Sequence, residues 1–197
     1  MGVGIVTNRK RSTLRPAAAP VRSFVMALLA VLLAAGATAH EGEDHKPADG
    51  AVATMSPAAR AVIGTLEGYA QAVTSNDLSR VKPLLVAGDD FSYFEGTFVN
   101  VGWQSYYDHM APEMVLFEKP SYRVTDIRPF VSGDLAYATF TWAMDVTVIS
   151  EKFEGGRHPV SMNGKGTAVL SRVDGQWKIR HLHTATTPPK KAGTGNH

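Results

Sequence analysis

The spacing of apolar residues changes period along this chain. Val62, Ile63, Leu66, Ala70 and Val73 recur at helical intervals, so they form one apolar stripe of a helix. Ser56-Pro57 opens that helix, with Ser as N-cap and Pro in the first turn. Asn76 is a left-handed stop, and Asp77 caps a second, short helix carrying Leu78, Val81 and Leu85 and kinked by Pro83. Phe91 to Glu95 alternates and reads as a strand; Gly96 to Gly102 is a connection, read as a hairpin turn. Trp103, Tyr106, Tyr107 and Met110 then predict a third helix, which Pro112 is expected to end.

Beyond that point the period falls to two. Segments 121–131, 134–149, 160–173 and 176–185 read as strands, with Gly133-Asp134 and Asp174-Gly175 as tight turns and Glu151 to Pro159 as a mobile loop. In 134–149 one parity is Ala136, Ala138, Phe140, Trp142, Met144, Val146 and Val148; the other includes Thr139, Thr141 and Asp145. Such a strand is buried on one face only. Phe140 and Trp142 therefore belong to the core and the wall of any pocket, and Asp145 points away. Helices followed by an antiparallel meander predict an α+β domain, a curved sheet packed against three N-terminal helices. A bent sheet wrapped on a long helix makes a cone, whose open end is the expected ligand site.

The flanks do not continue this pattern. Residues 1–39 hold five basic and no acidic residues, then an apolar run from Phe24 to Ala35 and Ala37-Thr38-Ala39. These are the parts of a signal peptide cleaved after Ala39. The run is well short of the ~20 residues that span a bilayer, so no stable membrane insertion is expected, and the mature protein is expected in the periplasm or secreted. Residues 40–55 read as a disordered acidic leader and 187–197 as a disordered tail, leaving the domain at 56–186.

Cleavage also reverses the charge argument. The whole chain has 20 Lys+Arg against 18 Asp+Glu, but only 15 of the basic residues lie beyond Ala39, giving the mature chain a net −3. No basic patch or motif suggests nucleic acid. The absence of cysteine excludes disulfides, thiol catalysis and Cys-based metal sites.

His181 and His183 share parity with Trp177 and Ile179, so all four are expected on one face, the imidazoles ~6.6 Å apart. Three roles stay open for the pair: pocket lining, core histidines with hydrogen-bonded rings, or metal ligation, which needs a third ligand. If Ala39 is removed, the amine and ring of His40 form a copper chelate, the alternative being a solvated spacer. There is no Ser-His-Asp set, phosphate loop or dinucleotide fingerprint.

The stretch from Gly166-Thr167 through Asp174-Gly175, Trp177-Lys178-Ile179 and His181-Leu182-His183 resembles the last hairpin of SnoaL-like domains in the nuclear transport factor 2-like superfamily. Gly102-Trp103 with Tyr106, His109 and Glu113 is similar to that family's third-helix segment. The resemblance spans roughly residues 57–186 and implies the cone fold, often as a homodimer through the sheet. It also implies that Trp103 and His109 border the cavity, His109 then being the third imidazole beside His181 and His183. Glu95 stands in a segment comparable to that of the general base of the isomerase members, without their surrounding motif. Tyr69 stands on the helix that supplies an oxyanion donor.

Three functions follow as expectations. The first is an exported domain binding a small, mostly apolar molecule through Tyr69, Trp103, His109, Phe140, Trp142, His181 and His183. The second is an isomerase, cyclase or dehydratase using Glu95, Tyr69 and His109. The third is a copper or zinc binder using His109, His181, His183 and His40. A fold alone does not choose among them.

Overall fold

The computed structural model describes residues 55–187. The signal segment, most of the leader including His40, and nearly all of the tail lie outside the described residues. Helix α1 is Pro57–Thr74, and the Ser56 hydroxyl accepts from the Ala59 N–H at 3.1 Å. Its stripe of Val62, Leu66, Tyr69, Ala70 and Val73 is buried. Asn76 does adopt the left-handed conformation, with φ 56°. Its amide donates to the Met114 carbonyl at 2.9 Å, tying the end of α1 to the end of the third helix. Asp77 caps α2 (Leu78–Val81), and Pro83 lies in the 3-10 turn Lys82–Leu84 that follows.

Helix α3 is Gly102–Met114 and runs through Pro112, which was expected to stop it. The proline removes one bond, that to the Asp108 carbonyl of an exposed residue, and only two helical residues follow it, so little of the helix is affected. The last turn is still closed by the Val115 N–H on the Ala111 carbonyl at 3.3 Å.

Six strands form one curved sheet in the order β2-β1-β6-β5-β4-β3. They are β1 Ser92–Glu95, β2 Phe98–Val101, β3 Phe117–Ser132, β4 Leu135–Ile149, β5 Arg157–Val173 and β6 Gln176–Thr186. The Gly96-Thr97 turn makes β1 and β2 a hairpin, so the expected connection is itself half strand. The sheet is antiparallel except that β1 runs parallel to β6. Both sharp turns fall where expected, and Asp174 and Gly175 have φ of 50° and 78°, as a two-residue hairpin needs.

Along β4 the anticipated parity holds: Ala136, Ala138, Phe140, Trp142, Met144, Val146 and Val148 are buried on the inner, concave face. Opposite Phe140 and Trp142, strand β5 carries Gly166 and Gly164. A Cβ at Gly166 would come within 2.3 Å of Phe140 Cζ, and one at Gly164 within 2.7 Å of Trp142 Nε1. The two rings therefore lie over bare backbone. They are core plates rather than an open apolar wall, with 4% exposure each.

One irregularity redirects the last strand. Val169 pairs with His181 but Leu170 pairs with Ile179, so Arg180 has no partner and forms a β-bulge. A bulge inserts one residue and exchanges the faces beyond it. Trp177 and Ile179 point inward, and past the bulge Leu182 and Thr184 do so too, at 1% and 4% exposure. His181 and His183 are thereby turned to the outer, convex face, contrary to the parity expectation.

Candidate proton-transfer site

The hairpin β1–β2 and helix α3 bring the inner-face chemistry together. Tyr93 and Glu95 are two apart on β1 and share a face; Asn100 is the β2 partner of Tyr93. His109 and Glu113 are one turn apart on α3. Tyr69 comes from α1 and Tyr122 from β3.

The Tyr93 hydroxyl donates to Glu95 Oε2 at 3.0 Å. Burial pushes the Glu95 carboxyl above its ordinary range and nearby Glu113 adds to this, while the Tyr93 bond and His109 oppose it. His109 Nε2 lies 3.6 Å from Glu113 Oε1, and Nδ1 lies 2.8 Å from Asn100 Oδ1. Bonding to Glu113 raises the His109 pKa above 6.5, against the pull of burial. His109 is 7% exposed and Glu113 18%. Phe98 covers the imidazole from one side, ring centres 5.1 Å apart.

Four phenols back this cluster. Tyr69 and Tyr106 share a hydrogen bond of 3.0 Å between their hydroxyls. Tyr106 packs edge-on against Tyr93 at 5.2 Å, and Tyr69 against Tyr122 at 6.3 Å. Tyr122 stacks on Trp142 at 6.0 Å. Desolvation raises the pKa of all four tyrosines, so they remain O–H donors at neutral pH. The indole N–H of Trp142 is buried without a partner.

The three expected catalytic residues, Glu95, Tyr69 and His109, thus lie in one inner-face cluster. The expected ligand set divides. Trp103 lies on the flank of α3 beneath Lys82, whose Nζ is 5.4 Å from the ring centre. His181 and His183 face outward, ring centres 6.5 Å apart, close to the spacing that strand rise predicts. Ser92 Oγ is 2.8 Å from His181 Nδ1, and Phe94 stands edge-on to the same ring at 4.9 Å. His183 lines a convex-face groove of about 430 Å³ with Arg128, Lys165, Thr139 and Thr167.

The proposed metal set is accordingly separated, His109 inside and the other two outside. Among the described residues no three His, Cys, Asp or Glu side chains gather around one point. Tyr93, Tyr122 and Asn100 were not among the residues expected here. Tyr93 had a legible signal, its shared parity with Glu95. Asn100 could have been placed opposite Tyr93 once Gly96-Thr97 was read as a hairpin turn, whereas Tyr122 had no such signal, because β3 reaches the site only through tertiary pairing.

A sequence profile of the SnoaL-like domain matches residues 62–188. The chain belongs to that family. Solved structures share the fold of this SnoaL-like domain. One is a nuclear transport factor 2-like superfamily protein from Salmonella enterica, 17% identical, with TM-score 0.58, covering 70% of this chain and 96% of that one. Another is a type 2 hexachlorocyclohexane dehydrochlorinase, 18% identical, TM-score 0.56, covering 71% and 93%. A third is a protein of unknown function from Mycobacterium tuberculosis, 16% identical, TM-score 0.52, covering 70% and 80%. At these identities the likeness is one of fold. No curated protein matches the chain.

Proposed function

We propose that this SnoaL-like domain is exported, binds a small, mostly apolar molecule at the open end of its cone, and moves a proton on it. The observation that carries the reading is a half-buried carboxyl, Glu95, held by one phenol and facing a His–Glu pair. Desolvation raises the Glu95 pKa and so makes it a stronger base. Glu95 would take a proton from a carbon next to a carbonyl. The electron pair moves onto the carbonyl oxygen, where a buried phenol donor stabilises it. His109, whose charged form Glu113 favours, returns a proton to the product, and proton exchange with solvent resets Glu95 and His109. Export is supported by the basic and apolar segments of residues 1–39.

The test begins with native mass spectrometry of residues 40–197 recovered from the exported pool. A co-purified organic molecule is expected. Incubated with the protein in D2O, it should gain deuterium at carbon, and Glu95→Gln should abolish the gain while retaining the molecule. Retention with unchanged exchange in Glu95→Gln would remove Glu95 from the chemistry; binding without exchange in the native protein would leave a carrier.

A second copy of the chain is the occupant we propose for the convex face. Phe130 and Tyr137 stack there with ring centres 5.4 Å apart. They are 58% and 49% exposed, beside Leu135 at 58%. Apolar groups of that size left in water favour self-association.

A further inference from the structure

We infer that Asn100 is a positioning residue that fixes the tautomer of His109, placing the ring proton on Nδ1 and leaving Nε2 as the atom that exchanges protons. The inference deepens the proton-transfer reading above and rests on it for its purpose, though not for its geometry.

The Ser105 backbone carbonyl can only accept a hydrogen bond. It lies 3.1 Å from the Asn100 amide nitrogen, which also reaches Ser105 Oγ at 3.3 Å. The amide NH2 must therefore face Ser105, and the amide oxygen must face the other way. That oxygen is 2.8 Å from His109 Nδ1. An amide oxygen cannot donate, so Nδ1 must carry the hydrogen. Asn100 is 8% exposed and His109 7%, so water does not readily replace either bond, and an unmade one would cost about 1–3 kcal/mol.

With Nδ1 fixed as N–H, a neutral His109 presents the Nε2 lone pair. That atom faces Glu113 Oε1 at 3.6 Å. When His109 takes up a second proton it goes to Nε2, where the neighbouring Glu113 carboxylate favours the charged ring. When it is given up, it leaves from Nε2, because the Nδ1 proton is retained by the amide. Asn100 thus decides which ring atom does chemistry without touching the reacting molecule. It is held in turn by the first turn of α3, which ties the β2 edge strand to the acid–base pair.

The measurement is a long-range ¹H–¹⁵N spectrum of ligand-free protein labelled in histidine, recorded above the His109 pKa. The His109 signals are identified by their loss in His109→Gln. A protonated-type Nδ1 and an unprotonated-type Nε2 are expected in the native protein; the reverse pattern overturns the inference. Asn100→Leu removes the acceptor and should lose the Nδ1–H form in favour of Nε2–H, whereas an unchanged tautomer removes Asn100 from the role. Should Asn100→Leu fail to fold, the native spectrum decides by itself. Asn100→Asp, which keeps an acceptor at Nδ1, should retain the Nδ1–H form. Because no ligand is present, failure of the D2O exchange experiment leaves this result standing, and the converse holds too.

Discussion

Replacing Gly166 by alanine sets two opposed effects against each other, and the structure gives the balance. Glycine inside a strand is conformationally costly, and alanine should gain roughly 0.5–1 kcal/mol from the smaller entropy loss on folding. Against this, the new Cβ would sit 2.3, 2.5 and 2.9 Å from three atoms of the Phe140 ring. Real contacts of this kind are not made, so the ring must move. It is 4% exposed and packed within the buried core, so it has little space to move into. Overpacking of this kind costs about 1–3 kcal/mol, which exceeds the entropic gain. The expected net loss is about 1–2 kcal/mol, a fall in Tm of several degrees for a domain of this size.

The assay is chemical denaturation of the native protein, Gly166→Ala, Phe140→Leu and the double variant. Phe140→Leu alone leaves a partial cavity. The double variant places a methyl where the ring was, so its loss should be smaller than the sum of the singles by more than the ~0.5 kcal/mol scatter of independent sites. A Gly166→Ala protein as stable as the native one, or additive losses, would refute the ring-over-glycine account of the core.

Other expectations follow from the same geometry. Glu95 and His109 both have folded pKa values raised above their unfolded ones. Each therefore contributes stability that is present below its unfolded pKa, about 4.3 and 6.5, and lost as pH rises through its raised folded pKa. Thermal melts should show stability falling across this range, and Glu95→Gln should flatten the acidic part. Glu113→Gln should lower the His109 pKa in an NMR titration, because burial is then opposed only by the weaker pull of Glu95; an unmoved value would mean that the 3.6 Å pair is not formed in solution. Tyr137→Glu should convert the proposed dimer to monomer in sedimentation velocity without lowering Tm by more than a few degrees, since Tyr137 is exposed. A native protein that sediments as a monomer at high concentration would dispose of that surface as an interface.

Much of this protein is written locally. Ser56, Asp77 and Asn76 set helix boundaries through their own side chains and backbone preferences. The apolar parity of β4 and the turns at Gly133-Asp134 and Asp174-Gly175 depend on neighbours within a few residues. Glu95, Tyr69 and His109 were legible as candidates from their positions in the elements, with help from the family resemblance. What the chain could not show locally is pairing between distant segments. The bulge at Arg180 arises where β6 must satisfy β5 on one edge and the Leu85–Val86 segment on the other, with the Val86 N–H on the Ile179 carbonyl at 3.0 Å. That single unpaired residue turns His181 and His183 out of the cone, and no periodicity within β6 encodes it. Likewise Asn100 and Tyr122 gain their roles only when β2 folds against α3 and β3 closes over α1. Local side-chain chemistry sets which residues are apolar enough to be buried and which can carry protons. The tertiary structure decided which of them meet, because strand register and bulges are settled by the competing hydrogen-bonding demands of segments far apart along the chain.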